Sequence, residues 1–241
     1  MHTYMHTYIC ACMCETYGSS YGVFDCINCA HSDTGYANAL KDSAIARSSG
    51  FSEALRYIAG RLDAGGLNVT RNNCDYHSGI HCGYSVINAS LSFSAFTNNT
   101  CDCICICFEN NQAYNEMHAC NVIDNKQSEY STRGTIFCWY YLTITDSYIN
   151  NNVAQRDFYC ASGSGSITIK NSVINTSKTT SGTVSCIQCN ASGDRPDLDF
   201  EDDCYFWMFG QFNSLSTICS CVQLKRPNHL RKENLIGVLY V

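Results

Sequence analysis

The sequence has little charge and no long apolar run. Lys, Arg, Asp and Glu together make up 15% of the 241 residues, against about a quarter in a typical globular domain. This low content argues against an intrinsically disordered or highly charged scaffold. The net charge of −6 argues against a nucleic-acid partner held by overall charge. No stretch approaches the length of a membrane-spanning helix, so we expect no transmembrane segment in this chain.

Motifs that would identify an enzyme are also missing. The sequence contains neither a Gly-x-Ser-x-Gly elbow nor a phosphate-binding loop. Acidic residues are few between positions 67 and 190, and no Asp-Asp, Gly-His-Gly or Arg-x-Lys combination occurs there. Glycoside hydrolysis requires paired carboxylates. We therefore expect neither catalytic residues nor a cofactor.

The strongest positive signal is an internal repeat. Turns that contain Asn or Asp recur behind an apolar residue, and the first four begin 26 residues apart. A fixed period of this length indicates stacked supersecondary units. The turns begin at Asn72, Asn98, Asp124 and Asn150, and a fifth contains Asn175.

The segments before these turns have the pattern of β-strands. They alternate apolar with small polar residues and are rich in Ile, Val, Thr, Tyr and Phe, which favours strands over helices. Asn tolerates the left-handed backbone conformation that a sharp turn between strands requires. We therefore expect an all-β fold in which Asn72, Asn98, Asp124, Asn150 and Asn175 stack as a hydrogen-bonded ladder.

These segments resemble a known repeat. Residues 92–99, 144–151 and 169–175 are similar to the right-handed parallel β-helix repeats of the pectate-lyase-like superfamily, and most of all to uncharacterised repeats in protist proteins, some of them surface proteins. The resemblance covers roughly residues 67–190. It implies a right-handed parallel β-helix, a solenoid of about five or six rungs. Such a resemblance indicates fold far more than function.

The sequence predicts four regions along the chain. They are a low-complexity, disordered arm (1–20), an N-terminal cap (21–66), the parallel β-helix (67–206) and a C-terminal tail or cap (207–241). Within the cap, residues 52–62 carry apolar residues at helical spacing, namely Leu55, Ile58, Ala59 and Leu62. We interpret this segment as an amphipathic helix. It either closes the N-terminal end of the stack or is inserted between rungs.

One short segment has the composition of a metal site. Cys74, His77, His81 and Cys82 lie close together in sequence and have the atom types of a tetrahedral zinc site. Gly79 lies among them and would let a loop fold around an ion. The alternative is a solvated loop between rungs.

Four cysteines alternate along the chain at Cys101, Cys103, Cys105 and Cys107. On a strand they would share one face. If that face is inward, they are small core residues. Stacked rungs could also bring cysteines of neighbouring rungs to disulfide distance. Core packing, disulfides and metal binding therefore all remain open.

We expect a non-catalytic scaffold that is a surface or secreted adhesion protein, or a fragment of one, although no signal peptide is visible. Its partners would be a glycan, a host protein or further copies joined through the solenoid ends. A polysaccharide lyase or glycoside hydrolase on the same fold is the first alternative. The second is a non-functional or wrongly assigned open reading frame, suggested by the tetrapeptide of residues 1–4, which recurs at 5–8.

Overall fold

The protein is a parallel β-solenoid of about five turns. The computed structural model describes residues 37–47, 49–50, 53–110, 114–128, 133–175, 182–196 and 198, with four short strands nearer the N terminus. These residues contain no helix. Each circuit of the chain around the solenoid axis is called a rung below. The expected parallel β-solenoid is thus confirmed.

The described residues form short strands, apart from two long ones. In chain order they are β1 (Thr7–Ile9), β2 (Cys12–Cys14), β3 (Tyr17–Gly18), β4 (Phe24–Cys26), β5 (Ala37–Lys41), β6 (Ala44–Ala46), β7 (Ser49–Gly50), β8 (Glu53–Gly65), β9 (Asn68–Thr70), β10 (Asn73–Cys74), β11 (His77–Ser92), β12 (Ala95–Thr97), β13 (Thr100–Cys101), β14 (Ile104–Phe108), β15 (Tyr114–His118), β16 (Asn121–Ile123), β17 (Lys126–Gln127), β18 (Ile136–Cys138), β19 (Tyr141–Thr145), β20 (Tyr148–Asn150), β21 (Phe158–Cys160), β22 (Ser166–Lys170), β23 (Val173–Asn175) and β24 (Val184–Ile187).

The strands lie in three parallel sheets that run along the solenoid. The largest has the order β1-β5-β8-β11-β15-β19-β22-β24, with β4, β14, β18 and β21 paired beside this path. The second has the order β2-β6-β9-β12-β16-β20-β23, and the third β17-β13-β10-β7-β3. Every rung therefore adds its strands to the same sheets as the rung before it.

The largest sheet changes along the stack. In one rung the chain crosses it as the single strand β8, and in the next as the single strand β11. In the following rung the chain crosses it as two strands, since β14 pairs with the first part of β11 and β15 with the last part. Three register shifts between β8 and β11 accommodate the greater length of β11.

The core is built of residues stacked in register. In the second sheet Val69, Phe96, Val122 and Ile149 occupy equivalent positions in successive rungs, and all four are buried. Strands β15 and β19 alternate buried and outward residues. This alternation places the apolar residues inside the solenoid and the polar ones on its lateral surface, as the two-residue period of a strand requires.

The prediction of an amphipathic helix at residues 52–62 is wrong, because this segment belongs to strand β8. Leu55 and Tyr57 are buried, as are Leu62 and Ala64. Each pair has strand spacing, but the odd interval between the pairs breaks the two-residue period. Gly60, with a φ of 83°, lies within this interval, where glycine tolerates the change of direction. Two strand patterns that are out of phase with each other together produce the spacing of apolar residues that is typical of a helix.

Strands on both sides of the predicted boundary between residues 66 and 67 take part in parallel pairing. Strands β5 and β8, which precede it, pair in parallel with each other, and β8 pairs with β11. Within residues 1–20 the structure describes three strands, β1, β2 and β3, paired with β5, β6 and β7. The predicted tail at 207–241 lies outside the described residues.

A ladder of buried asparagines follows one corner of the solenoid. Each side chain after the first accepts hydrogen bonds from the backbone N–H and the amide group of the asparagine one rung before it, all at 3.0 Å. Each of the four also donates to a backbone carbonyl, at 2.8–2.9 Å. The members are Asn72, Asn99, Asn125 and Asn152.

Of the five predicted positions, the structure places Asn72 in this ladder and the other four outside it. Asn98 and Asp124 adopt positive φ, at 55° and 56°, and their side chains are exposed. Asn150 comes two residues before its ladder member, and Asn175 is exposed at the end of β23. The left-handed residue makes the turn at the surface, and the residue after it points inward.

A second corner uses serine in the same way. Ser94, Ser147 and Ser172 are buried, and each hydroxyl donates to the carbonyl two residues earlier, at 2.7–2.8 Å. The same hydroxyls accept backbone N–H groups from the preceding rung at 3.1–3.2 Å. Polar groups at both corners are thus satisfied within the solenoid, as burial requires.

Candidate functional site

Two histidines and two carboxylates meet at one end of the long strands. We call Glu53, His77, His81 and Glu109 the histidine–glutamate cluster. Glu53 begins β8, the two histidines belong to β11, and Glu109 directly follows β14. Since these strands are neighbours in the largest sheet, three successive rungs contribute to the cluster.

A β-bulge sets the positions of the two histidines. His77 lies opposite Glu53 in register, whereas Ile80 lies opposite Leu55. Strand β11 therefore has one residue more than β8 over this interval. Gly79 lies within the bulge, and a Cβ atom there would lie 2.6 Å from the carbonyl oxygen of Cys105. The bulge needs glycine because the next rung approaches it so closely.

The side chains of the cluster form a connected series of contacts. Glu53 Oε1 lies 3.4 Å from His77 Nδ1 and 3.1 Å from His81 Nδ1. The other ring nitrogen of His81, Nε2, lies 3.3 Å from Glu109 Oε2. The two imidazole rings stack with centroids 4.4 Å apart. Arg133 Nη1 lies 3.5 Å from Glu109 Oε1 and so extends the series toward the surface.

The pKa values of the two histidines are shifted in opposite directions. The His77 pKa is lowered, mainly because burial penalises the charged ring. Burial also acts on His81, but hydrogen bonds to Glu109 and Glu53 outweigh it and raise the His81 pKa. The Glu109 pKa is lowered, mainly by its hydrogen bond to His81. The cluster can therefore hold one proton on His81 between two carboxylates while His77 stays neutral.

The structure separates the four residues of the predicted metal site. His77 and His81 come together, but Cys74 and Cys82 lie in the apolar core. Among the described residues, two groups have metal-ligand atoms close together, Glu53–His77–His81 and His81–Cys107–Glu109. Neither group contains Cys74 or Cys82. Their inward placement follows from the course of the strands and is not visible in the local spacing of residue types.

The four alternating cysteines do not share one face. Cys105 belongs to the main core, whereas Cys107 packs with Ile104 and Phe137 in a second, smaller apolar cluster. Cys101 is also buried, and Cys103 is partly exposed. Cys101, Cys105 and Cys107 are free thiols. Burial raises the pKa of the Cys105 and Cys107 thiols well above the usual range, which makes both of them unreactive core residues.

The lateral surface of the largest sheet is a regular array of outward side chains. Strands β15, β19 and β22 pair in register over five residues each, and the first, third and fifth residues of each strand face outward. We call the outward side chains of these strands the outer grid. Its three rows across the strands are Tyr114, Tyr141 and Ser166; Glu116, Thr143 and Thr168; and His118, Thr145 and Lys170.

Aromatic and hydroxyl groups dominate the outer grid. The rings of Tyr114 and Tyr141 stack with centroids 4.7 Å apart and planes 11° apart. Tyr114 is nevertheless 71% exposed. His118 Nδ1 lies 3.0 Å from Thr145 Oγ1, and the edge of the His118 ring contacts Phe93, an exposed aromatic residue of the rung before. Each row repeats at the strand spacing of about 4.8 Å.

Comparisons of the chain with protein-family models, with curated proteins and with solved structures find no match. The described part of the chain also has no helix that is long and apolar enough to cross a membrane. The pairing of the strands itself defines the fold.

Proposed function

We propose that the chain is a non-catalytic binding scaffold and that its outer grid binds an extended glycan. The observation that carries this proposal is the in-register array of Tyr, Thr and Ser on β15, β19 and β22. Tyrosine offers both an apolar ring and a hydroxyl, and the Thr and Ser hydroxyls can each donate and accept hydrogen bonds. These are the groups that a sugar, apolar on its ring faces and polar at its edges, requires.

The arrangement also favours a linear polymer over a small ligand. The first row of the grid, Tyr114, Tyr141 and Ser166, presents a hydroxyl group at each of three successive rungs and contains no charged residue. A polymer lying along the solenoid axis would meet similar groups at each rung. Glu116 and Lys170 are the charged members of the grid and would set the preference among neutral and charged sugars.

The proposal also covers the superfamily and the cellular location of the chain. We infer kinship with the pectate-lyase-like superfamily, in the form found on protist surfaces, and an extracellular or cell-surface location. The disulfide between Cys186 and Cys189 supports an oxidising compartment. A host protein as the ligand and self-association through the solenoid ends remain separate predictions.

The proposal is tested by binding. The full-length protein is titrated with a panel of soluble polysaccharides, and the variant Tyr114→Ala is compared with Tyr76→Ala. Tyr76 is also a well-exposed tyrosine, at 52%, but lies outside the outer grid. We expect Tyr114→Ala to weaken binding roughly 2- to 10-fold, as loss of one aromatic contact of about 0.5–1.5 kcal/mol implies. Tyr76→Ala should leave affinity unchanged.

Three results would contradict the proposal. The first is that the wild-type protein binds none of the polymers. The second is that both tyrosine variants lose affinity equally, which would place the contact outside the outer grid. The third is the appearance of unsaturated or reducing ends during incubation, which would favour the lyase or hydrolase alternative. A calcium-free and a calcium-containing reaction should be run for this last measurement.

A further inference from the structure

We propose that Glu53, His77 and His81 bind one divalent transition-metal cation, for which Zn²⁺ is the probe. This site goes beyond the proposed binding function and does not depend on it, since the cluster lies on other strands than the outer grid. It also differs from the site expected from the sequence, because a carboxylate from the neighbouring rung replaces both cysteines.

The distances within the group fit a shared ion. Zinc bonds to nitrogen and oxygen ligands are about 2.0–2.2 Å long, so neighbouring ligands in a tetrahedral site lie about 3.3–3.5 Å apart. Glu53 Oε1 lies 3.4 Å from His77 Nδ1 and 3.1 Å from His81 Nδ1. All three ligand atoms of the group lie within 4.8 Å of one another. Only small side-chain movements are needed to admit the ion.

The surroundings of His81 have the arrangement common around metal ligands. A histidine that binds a metal through one ring nitrogen usually donates its other N–H to a carboxylate, which fixes the ring. His81 presents Nδ1 to Glu53 and Nε2 to Glu109, at 3.1 and 3.3 Å. Arg133 in turn contacts the second oxygen of Glu109. Glu109 is therefore a positioning residue for His81.

His77 is available as a second ligand. Its side chain is 6% exposed, and its Nε2 atom is buried without a hydrogen-bond partner. The single polar contact of the ring in the described residues is the one at 3.4 Å to Glu53. A metal bond at Nδ1 would anchor this ring, which is otherwise held by stacking on His81.

The ligand set indicates which cation fits. Two imidazoles and one carboxylate suit zinc and its neighbours in the first transition series, whereas calcium prefers six to eight oxygen atoms. The three side chains are 6–10% exposed, so the ion would be shielded from bulk solvent. Because Glu53 comes from one rung and the histidines from the next, the ion would join two rungs. Its role would then be to hold the first long strands in register.

X-ray absorption at the zinc edge tests this site directly. Full-length protein is freed of metal with a chelator, loaded with one equivalent of Zn²⁺ and measured. We expect nitrogen and oxygen ligands at about 2.0–2.2 Å and no sulfur at about 2.3 Å. A sulfur shell would overturn the proposal, because it would place the ion on cysteines such as Cys107. Failure of the wild-type protein to retain zinc would overturn it as well.

Variants identify the ligands through zinc affinity, measured in competition with a chromophoric chelator. His77→Ala should abolish tight binding, and His77→Gln repeats the test with a side chain closer in size, should the alanine variant not fold. Glu109→Gln should weaken affinity about 10- to 100-fold, as loss of a carboxylate partner does at other metal sites. Asp63→Asn, a carboxylate change at an exposed position of β8, is the matched control and should have no effect. Unchanged affinity in both His77 variants would refute the assignment.

Discussion

The asparagine ladder allows a quantitative prediction about stability. Asn99 is buried, and its side chain makes four hydrogen bonds. It accepts from the backbone N–H and the amide of Asn72, both at 3.0 Å, and donates to the Val69 carbonyl at 2.8 Å and to Asn125 Oδ1 at 3.0 Å. Asn99→Ala removes all four, and the backbone N–H of Asn72 loses the acceptor that the ladder provides.

The expected cost follows from these bonds. A buried hydrogen bond contributes about 1 kcal/mol net, and a buried group left without a partner costs about 1–3 kcal/mol. Asn99→Ala should therefore lower the free energy of unfolding by about 4 kcal/mol. Domains are stable by only about 5–15 kcal/mol in total. The loss is a large fraction of what holds the solenoid together.

Urea denaturation followed by far-ultraviolet circular dichroism measures this effect, with Asn98→Gly as the control. Asn98 is the neighbouring residue, exposed and at a φ of 55°, a conformation that glycine adopts without strain. The control should stay within about 1 kcal/mol of the wild type. If Asn99→Ala does the same, the ladder does not stabilise the fold as argued.

Two further predictions concern the histidine–glutamate cluster. The pKa of His81 is raised above its ordinary value of 6.5 in the folded protein. In metal-free protein, the stabilisation that His81 provides is therefore fully present below pH 6.5 and is lost as pH rises through the higher pKa of the folded state. The pKa of Glu109 is lowered below its ordinary value of 4.5 in the folded protein. The stabilisation that Glu109 provides is therefore present above pH 4.5 and is lost as pH falls through the lower pKa of the folded state. The urea midpoint should therefore decline above pH 6.5 in the wild type but not in His81→Gln, and parallel curves for the two would refute this. Gly79→Ala should destabilise the protein by about 1–3 kcal/mol in the same assay, because the new methyl group meets the Cys105 carbonyl. Gly163→Ala, where a Cβ atom meets nothing within 4 Å, should be near neutral, and equal losses would show that the close approach is not what requires glycine.

The fold could be predicted from the sequence because each sequence repeat corresponds to one rung of the solenoid. Each rung needs a residue that tolerates the left-handed conformation at the same corner, and Asn98, Asp124 and Asn151 supply it at φ values of 55–56°. The exact ladder residues could not be predicted in the same way. The exposed turn position and the buried ladder position are adjacent, and asparagine suits both, so a pair such as Asn98-Asn99 does not show which residue points inward.

The helix error had a related cause. The period of two fails in β8 at Gly60, and the spacing across that break matches a helix. A helical interpretation also removed Glu53 from the repeat. Glu53 and His77 are 24 residues apart in sequence, which is close to the length of one rung. Extending the repeat to residue 53 would have indicated that these two residues are neighbours.

The candidate site could be predicted only in part. Residue types alone pointed to His77 and His81, because histidines close in sequence are suitable ligands. Glu109 contacts His81 across 28 residues of chain, so no local spacing marks it. Cys74 and Cys82 had the right chemistry, but the strand pattern directs them into the core. Three-dimensional proximity across rungs, and not proximity along the chain, decides which polar groups meet.

The ladder also bears on how such a chain can change its length in evolution. Successive ladder asparagines are 27, 26 and 27 residues apart, and each offers its neighbours the same donors and acceptor. Duplication or loss of one such interval would join equivalent asparagines and leave the hydrogen-bonded column intact. A shorter insertion within a rung is tolerated only where the chain leaves the sheets. Whole rungs are thus the natural units of gain and loss, and they can be exchanged without redesigning the corner.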